Sequence, residues 1–393
     1  MKVYLDNAAT TKLDSRVLDA MMPYLTDIYG NASSLHFFGR QAIKAVDEAR
    51  AAIATLLGAK SNEIYFTSGG TESDNWAIKG AANALQRQGK HIITTAIEHP
   101  AMIETCKELE KQGFEVTYLE VDSDGLVSVE KLKQAVRDDT ILISIMFANN
   151  EIGSIQPIAE IGAFAKEEGI LFHTDAVQAA SSIKIDVNAL NVDMLSLSAH
   201  KFHGPKGIGL LYIRNGVRIS KLIVGGHQEK SARAGTTNTP GIVGMAKALE
   251  LTVAEMDATN ERIRELRDYF IKSVEEKMEF CHLNGGREKR LVSNANFSFD
   301  FIEGESILMQ LDLKGIAVSS GSACSSGSLE PSHVMLAIGC PIEQAHSSIR
   351  FSLGKDTTKE EIDFTIQTLK ETVDTLRSWS PLFNVEKGEG QYV

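Results

Sequence analysis

At 393 residues the chain exceeds one ordinary core and predicts two domains, one larger than the other. Its 43% hydrophobic and 23% charged content is that of a globular protein, and a formal net charge of −12 argues against nucleic acid or an anionic membrane as the main partner. Met1-Lys2-Val3-Tyr4-Leu5-Asp6 does not read as a signal peptide and no run is apolar enough to span a bilayer, so the expected location is cytoplasmic.

From 64 to 213, strand-like apolar runs alternate with helical stretches, the pattern of a mostly parallel sheet covered on both faces. A strand over 63–67 turns through Ser68-Gly69-Gly70-Thr71 into a helix reaching 84. Strand 92–95 leads past Glu98-His99-Pro100 into a helix to 112, and strand 141–147 ends at Ala148-Asn149-Asn150. A helix over 158–168 precedes strand 170–174, which ends at Asp175. Strands 194–198 and 208–213 flank the loop 199–207. The polar residues of interest thus fall just past the carboxyl ends of strands, where open α/β sheets bind ligands.

The second half predicts a long helix over 240–278, then a smaller α+β region onto which the opening residues fold back. Phe297, Phe299 and Phe301 alternate with polar residues as a half-buried strand does, and so do Ile349, Phe351 and Leu353. Thr358 and Glu361 form a capping box for a last helix to 376. Between these strands, 319–328 holds small and hydroxyl residues around Cys324. Such a run cannot bury enough apolar surface to order itself, which predicts a mobile surface loop. A linker with an incidental cysteine and a thiol that visits a pocket both fit that composition.

Four cysteines in so long a chain, Cys106, Cys281, Cys324 and Cys340, do not make a disulfide framework. Cys324, His333, Cys340 and His346 are nine, seven and six residues apart, which matches no compact zinc spacing, and no metal is expected. Lys201, in the His-, Gly- and Pro-flanked loop after 198, is either a solvated charge or a Schiff-base lysine. Asp175 is either a strand-end cap or the acid that keeps a pyridinium nitrogen protonated; the pair together suits pyridoxal phosphate. Gly69-Gly70-Thr71 could hold a phosphate, His99 could stack on a planar ring, and Gln178 could bond a phenolic oxygen.

These residues sit in longer motifs: Tyr4-Leu5-Asp6-Asn7-Ala8-Ala9-Thr10-Thr11, Gly30-Asn31-Ala32-Ser33-Ser34, Asn149-Asn150-Glu151-Ile152-Gly153, His173-Thr174-Asp175-Ala176-Val177-Gln178, Ser198-Ala199-His200-Lys201 and the Cys324 run. In order and nearly end to end, they resemble the cysteine desulfurases of the NifS/IscS type, class V enzymes of the fold-type I pyridoxal phosphate group. The resemblance implies an α/β fold: a large domain over 15–255 with a mostly parallel seven-stranded sheet, and a smaller α+β domain from 1–14 and 256–393. It implies Lys201 as Schiff-base lysine, Asp175 as ring-nitrogen partner, Gln178 at the ring hydroxyl, and His99 as stacking and acid/base residue. Gly70, Thr71, Ser198 and His200 would hold the phosphate, and Thr236 would reach that of a neighbouring subunit, hence a homodimer. Asn31, Asn150 and Arg350 would bind L-cysteine, and Asn150 would also border the cofactor. Cys324 would carry the sulfur as a persulfide to an acceptor protein, an iron–sulfur scaffold or a tRNA-thiolating enzyme. Ala32, His227 and Ala234 depart from the family's pattern without touching a catalytic atom. A selenocysteine lyase or an aminotransferase of the same class is the alternative.

Overall fold

A computed structural model describes residues 1–320, 330–384 and 389–390, so the expectations for Cys324 and its loop lie outside the described residues. The chain opens with β1 (Val3–Tyr4) and two helices, α1 (Ser15–Thr26) and α2 (Phe37–Leu57). Strands and helices then alternate as β2 (Ile64–Thr67), α3 (Gly70–Leu85), β3 (His91–Thr95), α4 (Pro100–Glu110) and β4 (Glu115–Leu119). They continue as α5 (Val129–Ala135), β5 (Thr140–Ser144), α6 (Ile158–Glu168), β6 (Leu171–Asp175), β7 (Met194–Ser198) and β8 (Gly209–Ile213).

β2 to β8 form a seven-stranded sheet in the order β2-β8-β7-β6-β5-β3-β4. β8 runs antiparallel to both neighbours, and the other pairs are parallel. The inner strands β3, β5, β6 and β7 are almost wholly buried because helices cover both faces, so their apolar runs need not alternate. β2, β3, β5, β6 and β7 therefore point their carboxyl ends to one edge. The expected strand to 147 stops at Ser144, yet Ile145 and Phe147 still donate their N–H groups to the His173 and Asp175 carbonyls.

α7 (Thr239–Lys277) joins two cores as one unbroken helix of 39 residues, about 58 Å at 1.5 Å per residue. Its first turns pack Ile242, Met245 and Leu249 into the core beside the large sheet. Its last turns pack Ile263, Phe270 and Val274 into a second core. That core lies on β9 (Cys281–Leu283), β10 (Asn294–Phe299), β12 (Ser319–Ser320) and β13 (Ser348–Ser352), an antiparallel sheet in the order β12-β13-β10-β9. α8 (Gly304–Leu313), β11 (Ile316–Ala317) and α11 (Lys359–Trp379) complete it, while α9 (His333–Ala337) and α10 (Ile342–His346) pack Val334, Met335 and Ala345 in a smaller cluster with Ile97, Met146 and Ile152. β1 pairs in parallel with β11, Val3 opposite Ile316, so the opening residues return to this second core. The capping box of Thr358 and Glu361 opens α11.

The Phe297-Phe299-Phe301 strand is not half-buried. All six residues of β10 are buried, and Phe301 lies beyond the strand at φ 72°. Phe297 and Phe299 face the second core, while Asn294, Asn296 and Ser298 make hydrogen bonds to the Glu151 and Gln344 carbonyls. Both faces are covered, so here the polar alternation marks a hydrogen-bonded contact between the two units rather than a solvated face.

Phe270 meets Phe351 at 4.8 Å with the rings tilted by 53°, and meets Phe297 edge-on at 6.4 Å between ring centroids. Phe270→Ala should therefore destabilise the chain by ~3–5 kcal/mol in a denaturant titration. A loss below ~1 kcal/mol would mean that this cluster does not hold the second core.

Candidate active site

Each strand end contributes one group. α3 follows β2 with Gly69 as its N-cap and no side-chain acceptor there, so its first-turn amides face outward as an anion site does. A Cβ on Gly70 would meet Val177 Cγ2 at 2.8 Å, and one on Gly69 would come 3.7 Å from Ser198 Oγ. Glycine is thus required at position 70, where the turn closes on Val177, and the result is a shallow cradle beside Ser198. Glu72 in the first turn of α3 accepts from Ser68 N at 2.8 Å and pairs with both nitrogens of the Arg233 side-chain edge, which fixes that cradle.

After β3, His99 caps α4: its Nδ1 accepts from Ala101 N at 3.1 Å. Burial, with Lys201 and His333 nearby, pushes its pKa down to about 4. The ring is therefore neutral at pH 7 and carries its proton on Nε2. After β5, Asn149 shapes the turn by donating to the Ile97 carbonyl and accepting from Glu151 N and Ile152 N. Asn150, next to it, is buried and gives its carbonyl to Arg350. At the end of β6, Asp175 Oδ1 accepts from Val177 N at 2.9 Å. Burial raises its pKa and the nearby Lys201 draws it back down.

After β7, Lys201 Nζ donates to the carbonyls of Ala8 at 2.5 Å and Ala9 at 3.0 Å. Gln178 Nε2 donates to the same Ala8 carbonyl, and His200 Nδ1 lies 3.2 Å from Thr10 Oγ1. From the second core Arg350, 2% exposed, donates Nη2 to Asp6 Oδ1 at 2.9 Å and Nη1 to the Asn150 carbonyl at 3.0 Å. Although it alternates with Ile349 and Phe351 along β13, Arg350 is therefore not a solvated strand residue.

The structure thus gathers Gly70, His99, Asn150, Asp175, Gln178, Ser198, His200, Lys201 and Arg350 along one sheet edge and the segment 6–10 that crosses it. Thr71 is exposed on the first turn of α3. Thr236 is exposed beside Thr67 and Ser68, and Asn31 is exposed with Oδ1 on Ser33 N. Among the described residues, no group of three or more His, Cys, Asp or Glu could hold a metal ion, and no helix is long and apolar enough to cross a membrane.

Behind Asp175 lies a buried polar layer that the motifs did not announce. His173, two residues earlier on the same face of β6, sits between Ser144 Oγ at 2.8 Å and Ser196 Oγ at 2.9 Å. Burial lowers its pKa to about 3, so it is neutral. Asp74 on α3 is fully buried, and burial plus the charge of Asp175 raises its pKa. Glu98 accepts from Thr95 Oγ1 and Met146 N on Oε1, and its Oε2 meets no partner among the described residues. The sequence offers only spacing here, a period of two back from Asp175 and a step of three along α3 from Thr71 to Asp74, and spacing alone does not say that these groups are buried together.

A cradle for an anion, a lysine, a buried acid and a neutral imidazole at the carboxyl edge of a mostly parallel sheet define a fold-type I α/β enzyme. The aminotransferase class-V family matches residues 3–364. The cysteine desulfurase IscS of Dictyoglomus turgidum is 58% identical over 97% of this chain and 96% of its own length. That of Methanosarcina thermophila is 56% identical over 97% and 94%. Among solved structures, a NifS-like protein superposes with a TM-score of 0.90 at 40% identity, covering 96% of this chain and all of the other. SspA in complex with cysteine gives 0.81 at 39% identity, over 91% and 100%. The chain belongs to the class-V aminotransferase family, and within it to the cysteine desulfurases of the NifS/IscS type.

Burial holds the Glu98 carboxyl protonated up to about pH 8, whereas an unfolded glutamate ionises near ~4.3. Between those values the folded chain keeps a proton that the unfolded chain has released. Its contribution is complete at low pH and is lost as pH rises toward 8. Glu98→Gln should make the fall in stability between pH ~5 and ~8 shallower by up to ~1.4 kcal/mol per pH unit in denaturation series. An unchanged slope would show that Glu98 is already ionised in the folded protein.

Proposed function

We propose that this chain converts L-cysteine to L-alanine with pyridoxal 5′-phosphate and captures the sulfur as a persulfide on Cys324. The observation that carries this is the meeting of Lys201 and Asp175 at the ends of neighbouring strands, beside a glycine cradle that a Cβ would fill. The donor set suits the cofactor: Lys201 for its aldehyde, Asp175 for its ring nitrogen, Gln178 for its hydroxyl and His99 against its face. Gly70, Thr71, Ser198 and His200 are assigned to its phosphate, with Asn150 at its border. Bound there, pyridoxal phosphate supplies an electron sink for the pair released when the substrate Cα–H bond breaks.

The chain's own groups do the rest. Arg350 takes the substrate carboxylate, since its Nε is buried and meets no partner among the described residues. Asn31 and Asn150 complete the substrate contacts. The Lys201 amine, lifted from the Ala8 and Ala9 carbonyls, accepts the Cα proton. His99, with Nδ1 committed to Ala101, acts through Nε2. The Cys324 thiolate forms an S–S bond as the substrate Cβ–Sγ bond breaks, and alanine leaves with the electron pair and a proton.

The domain division at 255, within α7, is part of this reading and is supported by the two separate apolar cores. So is a homodimer. Met22, Leu25, Tyr29, Leu35, Phe37 and Phe38 are exposed, Leu35 by 90%, on one stretch of chain. A second copy would cover them, and Thr236 would reach its phosphate. The persulfide then passes to an acceptor protein of iron–sulfur cluster assembly or tRNA thiolation.

Incubation with L-cysteine should yield L-alanine and add one sulfur to the peptide containing Cys324, read by mass spectrometry. Lys201→Ala should abolish the visible absorbance and lower turnover on the order of a thousandfold. A keto acid in place of alanine would make the protein an aminotransferase, and full sulfide release by Cys324→Ala would remove that residue from the reaction.

A further inference from the structure

Arg350 is a permanent charge buried in the second core, and a buried guanidinium needs a counter-ion and fixed acceptors. Among the described residues its ion-pair partner is Asp6, whose side chain is 21% exposed. Glu151, the other acid close by, accepts from Ser332 Oγ on its Oε2 at 2.5 Å. The guanidinium is thus held at Nη2 by a carboxylate and at Nη1 by the Asn150 carbonyl, while the buried Nε–H meets no partner among the described residues. Two of its three nitrogens are committed to orientation, and the third has no acceptor among the described residues.

Asp6 is itself well fixed. Its neighbours bond β13 on both sides: Ser352 N donates to the Leu5 carbonyl at 2.7 Å and Asn7 N to the Ser352 carbonyl at 3.2 Å. The Asp6 carbonyl accepts from Ala9 N at 3.1 Å, closing a turn that presents the Ala8 and Ala9 carbonyls to Lys201. Asp6 and the resting place of the Lys201 amine therefore lie within four residues on one rigid piece of chain.

We propose that Asp6 is a positioning residue for substrate recognition: it orients Arg350 so that the Nε edge faces the substrate α-carboxylate, and it anchors that edge to the segment whose Ala8 and Ala9 carbonyls hold the Lys201 amine. This rests on the reading of Arg350 as the carboxylate clamp. Asp6 touches no reacting atom. It acts through Arg350, and its effect belongs to ligands that carry a carboxylate.

The test uses the cofactor-loaded protein. Binding of L-alanine and of ethylamine, which lacks the carboxylate, is followed by visible absorbance in wild type, Asp6→Ala and Asp6→Asn. Melting temperatures check that each variant folds. Asp6→Ala should weaken L-alanine binding about tenfold and leave ethylamine unchanged, while Asp6→Asn, whose Oδ1 still accepts, should stay within ~threefold of wild type. KM for L-cysteine should rise in Asp6→Ala by about the same factor, with kcat within ~twofold. Unchanged alanine binding in Asp6→Ala, equal weakening of both ligands, or Asp6→Asn as weak as Asp6→Ala would each overturn the proposal. Wild type forming no alanine from cysteine would instead overturn the desulfurase reading, and that appears before any variant is made.

Discussion

A charge taken out of water must be paired or neutralised, and this requirement organises the whole edge of the large sheet. Lys201 rests on two backbone carbonyls and Arg350 on a carboxylate and a third carbonyl. Three of those four acceptors come from residues 6–9, a turn fixed to β13 by backbone hydrogen bonds. The N-terminal segment is therefore the piece that lets a lysine from one core and an arginine from the other share a site.

The acids obey the same rule with the opposite outcome. Asp74, Glu98 and Asp175 are all buried, which raises the cost of ionising each; the charge of Asp175 adds to that cost at Asp74 and Glu98, and Glu98 adds to it at Asp74. His173 and His99 cannot offset them, since burial keeps both imidazoles neutral. Lys201 is the cation that favours ionisation of Asp175, so the anionic form concentrates there while Asp74 and Glu98 hold their protons. The acid assigned to the ring nitrogen is thus the one whose position favours its carboxylate form, with neutral acids behind it.

Much of this was legible before any coordinates. Period-two and helical patterns located the strands, and the polar residues at their ends marked the edge, because strand direction fixes where such residues gather. That Lys201 and Asp175 lie at one edge was legible too, because each falls at or just past the end of one of two neighbouring strands. The buried layer was not. Asp74, Glu98 and His173 look like ordinary helix and strand polar residues until α3 is laid across β6. Nor was Asp6: its partner Arg350 lies 344 residues away, and no periodicity encodes a pairing of that separation. The face of β10 misled for a related reason, since Asn296 and Ser298 are buried against Asn284, the Glu151 carbonyl and the Gln344 carbonyl rather than against water.

The choice of thiol follows from the same electrostatics. A sulfur nucleophile must reach the thiolate, and burial works against that form. Cys106 is pushed up to about 12 and Cys281 to about 11, while Cys340 is raised by burial alone. None of these three is suited to attack at neutral pH. Cys324 is the remaining thiol, and its flanks touch the site on both sides: β12 pairs with β13 at Ser319 opposite Arg350, while Ser332 bonds Glu151 and His333 bonds the Glu98 carbonyl. Glu151 and Glu98 are each one residue from a site group, Asn150 and His99. The chain that carries Cys324 thus begins beside the arginine assigned to the substrate carboxylate and ends beside the imidazole, which supports Cys324 as the sulfur acceptor of this site.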